Sequence, residues 1–205
     1  MKIALLGAES TGKSTLAHAL AAQLNRQGHR AVAVDEYLRS WCEQHQRTPR
    51  IHEQASIADE QHQRIERAAA LVVSNGVTQS KTPSTIVIAD TTPLMTAVYS
   101  DYVFGDTSLY AAALVYQRSF ELTLLTGLDV AWLPDGIQRD GPHVRNAVDA
   151  LLRGVLDTAA IPYSSVYGQD AARVACAFTF VNGLFASKQP LTAPSASPAS
   201  GLTAR

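Results

Sequence analysis

Eight consecutive residues, Gly7-Ala8-Glu9-Ser10-Thr11-Gly12-Lys13-Ser14, set two glycines, a lysine and a hydroxyl at the spacing G-x-x-x-x-G-K-[ST]. The glycines let the backbone turn so that successive N–H groups converge on phosphate oxygens. Lys13 adds positive charge at the β- and γ-phosphates, and the Ser14 hydroxyl is suited to ligating Mg²⁺. With Thr15, this stretch is the expected binding segment for a nucleotide, and the helix it opens turns its positive end towards the phosphates. Three carboxylates share a second pattern. Asp35 and Glu36 follow the apolar run Arg30 to Val34, and Asp90 ends the run Thr85 to Ala89. Ligands of open α/β sheets bind beyond the carboxyl ends of the strands, so all three acids are expected at the crevice that holds the phosphates. Asp90 would then face Ser14 across the metal ion, directly or through water, while solvated loop or turn acids are the bland alternative for all three.

The elements that must place these groups follow from hydrophobic spacing. Lys2 to Leu6 reads as a strand, and Thr15 to Leu24 as a helix with Leu16, Leu20 and Leu24 on one stripe. Further strands are expected at 30–34, 85–89, 122–126 and within 161–168. Helices are expected at 51–74, 93–99, 109–120, 146–158 and from 170 to about 185. This order predicts the α/β class and a P-loop fold: a five-stranded, mainly parallel sheet with helices on both faces, as in nucleoside and nucleotide kinases. Tyr99, Tyr102, Tyr110 and Tyr116 are candidates for a pocket wall or for plain packing. The loop from Gly127 to Gly141 has the composition of a lid, with Arg139 as a cation for the transition state.

The chain has 205 residues, 46% hydrophobic, which suits one domain at 1–186, and the Pro/Ala/Ser-rich stretch 187–205 is expected to be disordered. Seventeen basic residues against eighteen acidic ones leave no general field for nucleic acid or an anionic membrane. No stretch nears the about 20 apolar residues of a membrane span, and the run after Lys2, short and soon met by Glu9 and Lys13, is not expected to act as a leader. Cys42 and Cys176 lack C-x-x-C spacing and fit free thiols in a reducing compartment, so a cytoplasmic location is expected. His52 and His62 lie ten apart, away from the i, i+4 geometry of paired helical metal ligands. Oligomeric state stays open.

Taken together, GAESTGKSTL, DEYLRSW, EQHQR, IADTT, the Trp132 to Arg139 segment and IPY resemble the nicotinamide riboside kinase domain of the bifunctional bacterial NAD-biosynthesis regulator and its stand-alone relatives. The resemblance covers residues 1–186. It implies transfer of the ATP γ-phosphate to the 5′-hydroxyl of a ribosyl compound, nicotinamide riboside being characteristic of the family. Gly7 to Thr15 match its phosphate loop, Glu36, Tyr37 and Arg39 its E-Y-x-R substrate element, and Asp90 the acid ending its third strand. Trp132, Asp135, Gly136 and Arg139 resemble its W-x-x-D-G-x-R lid segment. The chain departs from the pattern in reading Asp90-Thr91-Thr92 where D-T-D is common, and in placing Arg139 one residue later than D-G-x-R.

Two activities are therefore weighed. In the first, ATP and Mg²⁺ serve a kinase for a small riboside. Lys13 and Arg139 offset charge, Glu36 or Asp35 accepts the hydroxyl proton, and Tyr37, Arg39, Asp90, Trp132 and Asp135 contact the acceptor. In the second, the nucleotide acts as a conformational signal in a regulator that has no small-molecule acceptor. A nucleic-acid end kinase fits less well, because no basic stripe tracks a phosphate backbone. The absence of a guanine-type N-K-x-D motif favours ATP over GTP.

Overall fold

The computed structural model describes residues 1–73, 85–133 and 142–188. Five parallel strands form one sheet: β1 (Lys2–Leu6), β2 (Arg30–Val34), β3 (Thr85–Asp90), β4 (Leu122–Thr126) and β5 (Ser164–Val166), in spatial order β2-β3-β1-β4-β5. β1 is central. Its register sets Leu5 opposite Asp90 of β3 and Leu124 of β4, so the carboxyl ends of three strands meet at one place.

Side chains alternate across this sheet, as a sheet covered on both faces requires. Ile3, Leu5, Ile86, Ile88 and Leu124 pack against Leu16, Leu20 and Leu24 of α1 (Lys13–Arg26) and against Phe178 and Val181 of α7 (Asp170–Lys188). Ala4, Leu6, Val87, Ala89 and Leu125 face the other way. They meet Ile65 of α3 (Gln54–Val73), Leu94 and Val98 of α4 (Pro93–Phe104), Ala113 of α5 (Tyr110–Gln117), and Val148 and Leu152 of α6 (Pro142–Thr158). The result is the three-layer α/β arrangement expected from the spacing.

Several elements differ from their sequence-based bounds. A helix, α2 (Tyr37–His45), follows the acids after β2 and was not signalled by periodicity. Its Trp41 and Cys42 pack on Ile57 of α3, so a tertiary contact sustains a helix too short to persist alone. α4 continues past Tyr99 to Phe104, where Gly105 at φ 67° forms a left-handed cap. β5 is only three residues long. α7 runs through Lys188, beyond the expected boundary at 187, and residues 189–205 lie outside those described. Cys42 and Cys176 form no disulfide.

Candidate functional site

The phosphate loop begins where β1 ends. Gly7, at φ 144°, lies so close to the Thr126 hydroxyl that a Cβ there would collide with it. Thr11 Oγ1 sits 2.8 Å from Ala8 O and 2.7 Å from Thr126 Oγ1, itself 3.1 Å from Leu6 O, so two hydroxyl hydrogens tie the loop to β1 and β4. Gly12, at φ 76°, is the left-handed N-cap from which α1 starts. Lys13 Nζ donates to Ala8 O across the loop at 2.8 Å. Glu9 through Thr15 line a cleft of about 1130 Å³, with Gly7 and Ala8 buried beneath them.

Three further segments line the same cleft. Glu36 precedes α2, which adds Leu38, Arg39 and Cys42. The chain from Thr48 to Ile51, with Gln54, forms a second part, and Met95, Tyr99, Val103 and Phe104 of α4 a third. The middle part is clamped. Glu53 accepts two hydrogen bonds from the Arg47 guanidinium, at 2.7 and 2.6 Å, and one from the Arg50 backbone N–H at 2.7 Å. These bonds, the Arg47 pair above all, lower the Glu53 pKa to about 2. Arg47 in turn lies over the Trp41 ring at 4.8 Å, which joins the clamp to α2.

The adjacent acids part company. Asp35 turns outward, its side chain 68% exposed and 2.8 Å from His18 Nε2, whereas Glu36 lines the cleft. Buried Gln61 of α3 holds the turn between them: its Oε1 accepts from Tyr37 N at 2.7 Å, and its Nε2 donates to Thr91 O at 3.4 Å and Asp35 O at 3.5 Å. Tyr37 does not line the cleft; its ring lies under the Arg64 guanidinium at 4.3 Å. Arg39 does line it. Of the other tyrosines considered, Tyr99 alone reaches the cleft wall. Tyr110 and Tyr116 bond Asp101 and Glu66 elsewhere, and burial, with those carboxylates, pushes both phenols up.

Asp90 ends β3 beside β1, only 1% exposed, with its Oδ1 without a hydrogen-bond partner. An orphaned carboxylate oxygen at this strand end and the Ser14 hydroxyl in the cleft fit Mg²⁺, which keeps waters and phosphate oxygens and takes one or two protein ligands. Thr92, where D-T-D sequences carry a second acid, caps α4. Its Oγ1 accepts from Leu94 N at 3.3 Å and donates to Gln117 Oε1 at 2.7 Å, away from the cleft. Trp132 Nε1 donates to Glu9 Oε1 at 3.4 Å, and Leu133 exchanges two hydrogen bonds with Ser10 Oγ, so the start of the proposed lid is fastened to the phosphate loop. Asp135, Gly136 and Arg139 lie outside the described residues.

Two buried arginines near Glu9 and Asp129 were not signalled by the motifs. Arg173 of α7 lines the cleft and is pinned to Asp129 Oδ1, Gly168 O and Gly127 O at 2.9–3.0 Å. Arg145 of α6 is 6% exposed, and its Nε and one terminal nitrogen have no partner. Burial and the nearby Arg173 charge lower its pKa, against the pull of Asp129, Glu9 and Asp149. The signal was present: Arg145 and Asp149 interrupt the apolar face set by Val144, Val148 and Leu152.

A parallel sheet of this order, a glycine-turned loop feeding a helix and an acid at the neighbouring strand end define a P-loop nucleotide-binding domain with the fold of P-loop kinases. The chain belongs to the AAA domain family, whose sequence profile matches residues 2–173. Among solved structures, the NadR protein in complex with NR superposes with a TM-score of 0.70 at 17% identity. The match covers 94% of this chain and 54% of that one, so the chain spans about half the length of that relative. Deoxyadenosine kinase from M. mycoides with bound dATP has a TM-score of 0.53 at 14% identity, covering 89% of this chain and 99% of that one. No curated protein matches by sequence.

Proposed function

We propose that this protein is an ATP-dependent kinase that phosphorylates the 5′-hydroxyl of a ribosyl small molecule, with nicotinamide riboside the foremost acceptor. One observation carries the reading: the phosphate loop and Glu36 line a single cleft of about 1130 Å³, roomy enough for two substrates. The folds shared with the NadR complex and the deoxyadenosine kinase support it, as does the resemblance of Glu36 and Arg39 to the substrate element of riboside kinases.

The chemistry follows from position. Backbone N–H groups of Gly7 to Ser14 hold the β- and γ-phosphates, and Lys13 leaves Ala8 O to pair with them. Ser14 and Asp90 would hold Mg²⁺, which when bound offsets charge on the phosphate oxygens. Glu36 orients the acceptor hydroxyl and takes its proton as the hydroxyl oxygen forms its bond to the γ-phosphorus. The bond from that phosphorus to the bridging oxygen breaks, and ADP leaves with the electron pair. Asp35, turned out towards His18, takes no part.

An ATP-consumption assay over a panel of ribosides tests the proposal. Riboside-stimulated turnover that Glu36→Gln removes, with ATP affinity kept, is the expected result. ATP binding with slow turnover indifferent to every riboside would instead favour the nucleotide-dependent regulator.

A further inference from the structure

Among the described residues, five other than glycine take a left-handed backbone, and three of them, Ser10, Thr91 and Asp170, line the cleft. Thr91, at φ 69°, is the only β-branched one, the residue type that this conformation suits least. Such strain persists where the surroundings hold it, and it gathers at functional sites. Here both backbone groups are held. Thr91 N donates to Leu5 O of β1 at 3.0 Å, and Thr91 O accepts from Gln61 Nε2 at 3.4 Å.

The kink sends three consecutive side chains to three places. Asp90 is buried at the strand end, Thr92 caps α4 and bonds Gln117, and of the three Thr91 alone lines the cleft. Thr91 is 4% exposed, and its hydroxyl has no hydrogen-bond partner among the described residues. Unlike Asp90 Oδ1, that hydroxyl is not an enclosed atom, so it is open to a ligand in the cleft. Its place says which part of a ligand it meets. Because β3 lies between β2 and β1, the residue after its end stands between Glu36, which follows β2, and the phosphate loop, which follows β1. We infer that the Thr91 hydroxyl hydrogen-bonds an oxygen at the point of phosphoryl transfer, either a γ-phosphate oxygen or the acceptor hydroxyl. The inference rests on the riboside-kinase reading for the acceptor, and on the phosphate loop alone for the phosphate.

Thr91→Val tests it on the full chain, since it removes the hydroxyl and keeps the shape and the branching. With no internal bond to lose, the variant should keep its Tm within about 2 °C of wild type. Its kcat/KM for riboside phosphorylation should fall about 10- to 100-fold, the worth of a hydrogen bond to a charged oxygen. Thr91→Ser keeps the hydroxyl and should stay within about fivefold of wild type. Thr91→Gly fits the left-handed backbone without strain and also lacks the hydroxyl, so it should show the same loss even if Thr91→Val folds poorly. Titration calorimetry separates the two oxygens. A bond to the γ-phosphate makes Thr91→Val bind a non-hydrolysable ATP analogue with Mg²⁺ about tenfold more weakly, with ADP unchanged. A bond to the acceptor hydroxyl leaves both nucleotides unchanged and puts the loss in riboside turnover. Wild-type analogue affinity together with wild-type riboside turnover in Thr91→Val overturns this inference and leaves the kinase reading intact. If no riboside is phosphorylated, the kinase reading falls. A loss of analogue affinity over ADP then upholds the phosphate bond by itself, and unchanged affinities overturn it.

Discussion

Glu36 and Asp35 are neighbours in sequence and opposites in placement, and the proposed chemistry turns on that difference. The sequence offered both acids at a strand end. Which one enters the cleft depends on the turn into α2, which Gln61 fixes from 24 to 26 residues away, beyond local reading. The carboxylate that lines the cleft should matter: Glu36→Gln is expected to lower kcat by about 10²- to 10⁴-fold, the usual worth of a positioned general base, while ATP affinity measured by titration calorimetry stays unchanged. Gly7 was legible for a firmer reason, since only glycine tolerates both its φ of 144° and the adjacent Thr126 hydroxyl. Gly7→Ala should therefore cost about 1–3 kcal/mol by strain at this backbone position, visible as a lowered Tm. Thr92 shows the opposite case. A motif comparison presents it as a lost carboxylate, whereas its hydroxyl is engaged in capping α4 and bonding Gln117.

At the scale of elements, long stretches with regular spacing were readable and short ones were not. β1, β2 and β4 match their expected bounds: β1 and β4 are short apolar runs buried on both faces, and β2 is an edge strand that buries Val34 and leaves Arg30 and Val32 exposed. α2 was missed, because nine residues with two buried side chains leave little period to detect, and its stability comes from Ile57 of another helix. The Gln61 link makes α3 a positioning element for Glu36. Gln61→Leu would strip the half-buried Tyr37 N–H of its acceptor, at about 1 kcal/mol, and should lower kcat more than it weakens ATP binding in steady-state assays. The clamp in front of Gln54 responds to pH. Folding lowers the Glu53 pKa from 4.5 to about 2, so the clamp's contribution is complete above pH 4.5 and is lost as pH falls towards 2. Denaturation midpoints should fall across that window, and Arg47→Met should flatten the fall.

The whole molecule brings together segments that are far apart in the chain. The phosphate loop, the α2 acid, the Thr48 to Gln54 wall, α4 and Arg173 of α7 converge because β1 lies between β3 and β4, so that their carboxyl ends share one crevice. The sheet order explains why a motif near residue 7 and an arginine at 173 meet, a relation that follows from topology and leaves no mark in local sequence. Among the described residues no helix is long and apolar enough to cross a membrane. In the proposed function, this cleft takes ATP and a riboside together and moves a phosphoryl group between them. Mass-spectrometric detection of product after incubation with ATP, Mg²⁺ and nicotinamide riboside tests it most directly. A riboside 5′-monophosphate and ADP in equal amounts are expected; ATP bound to the protein with no phosphorylated riboside formed would overturn the proposed kinase activity.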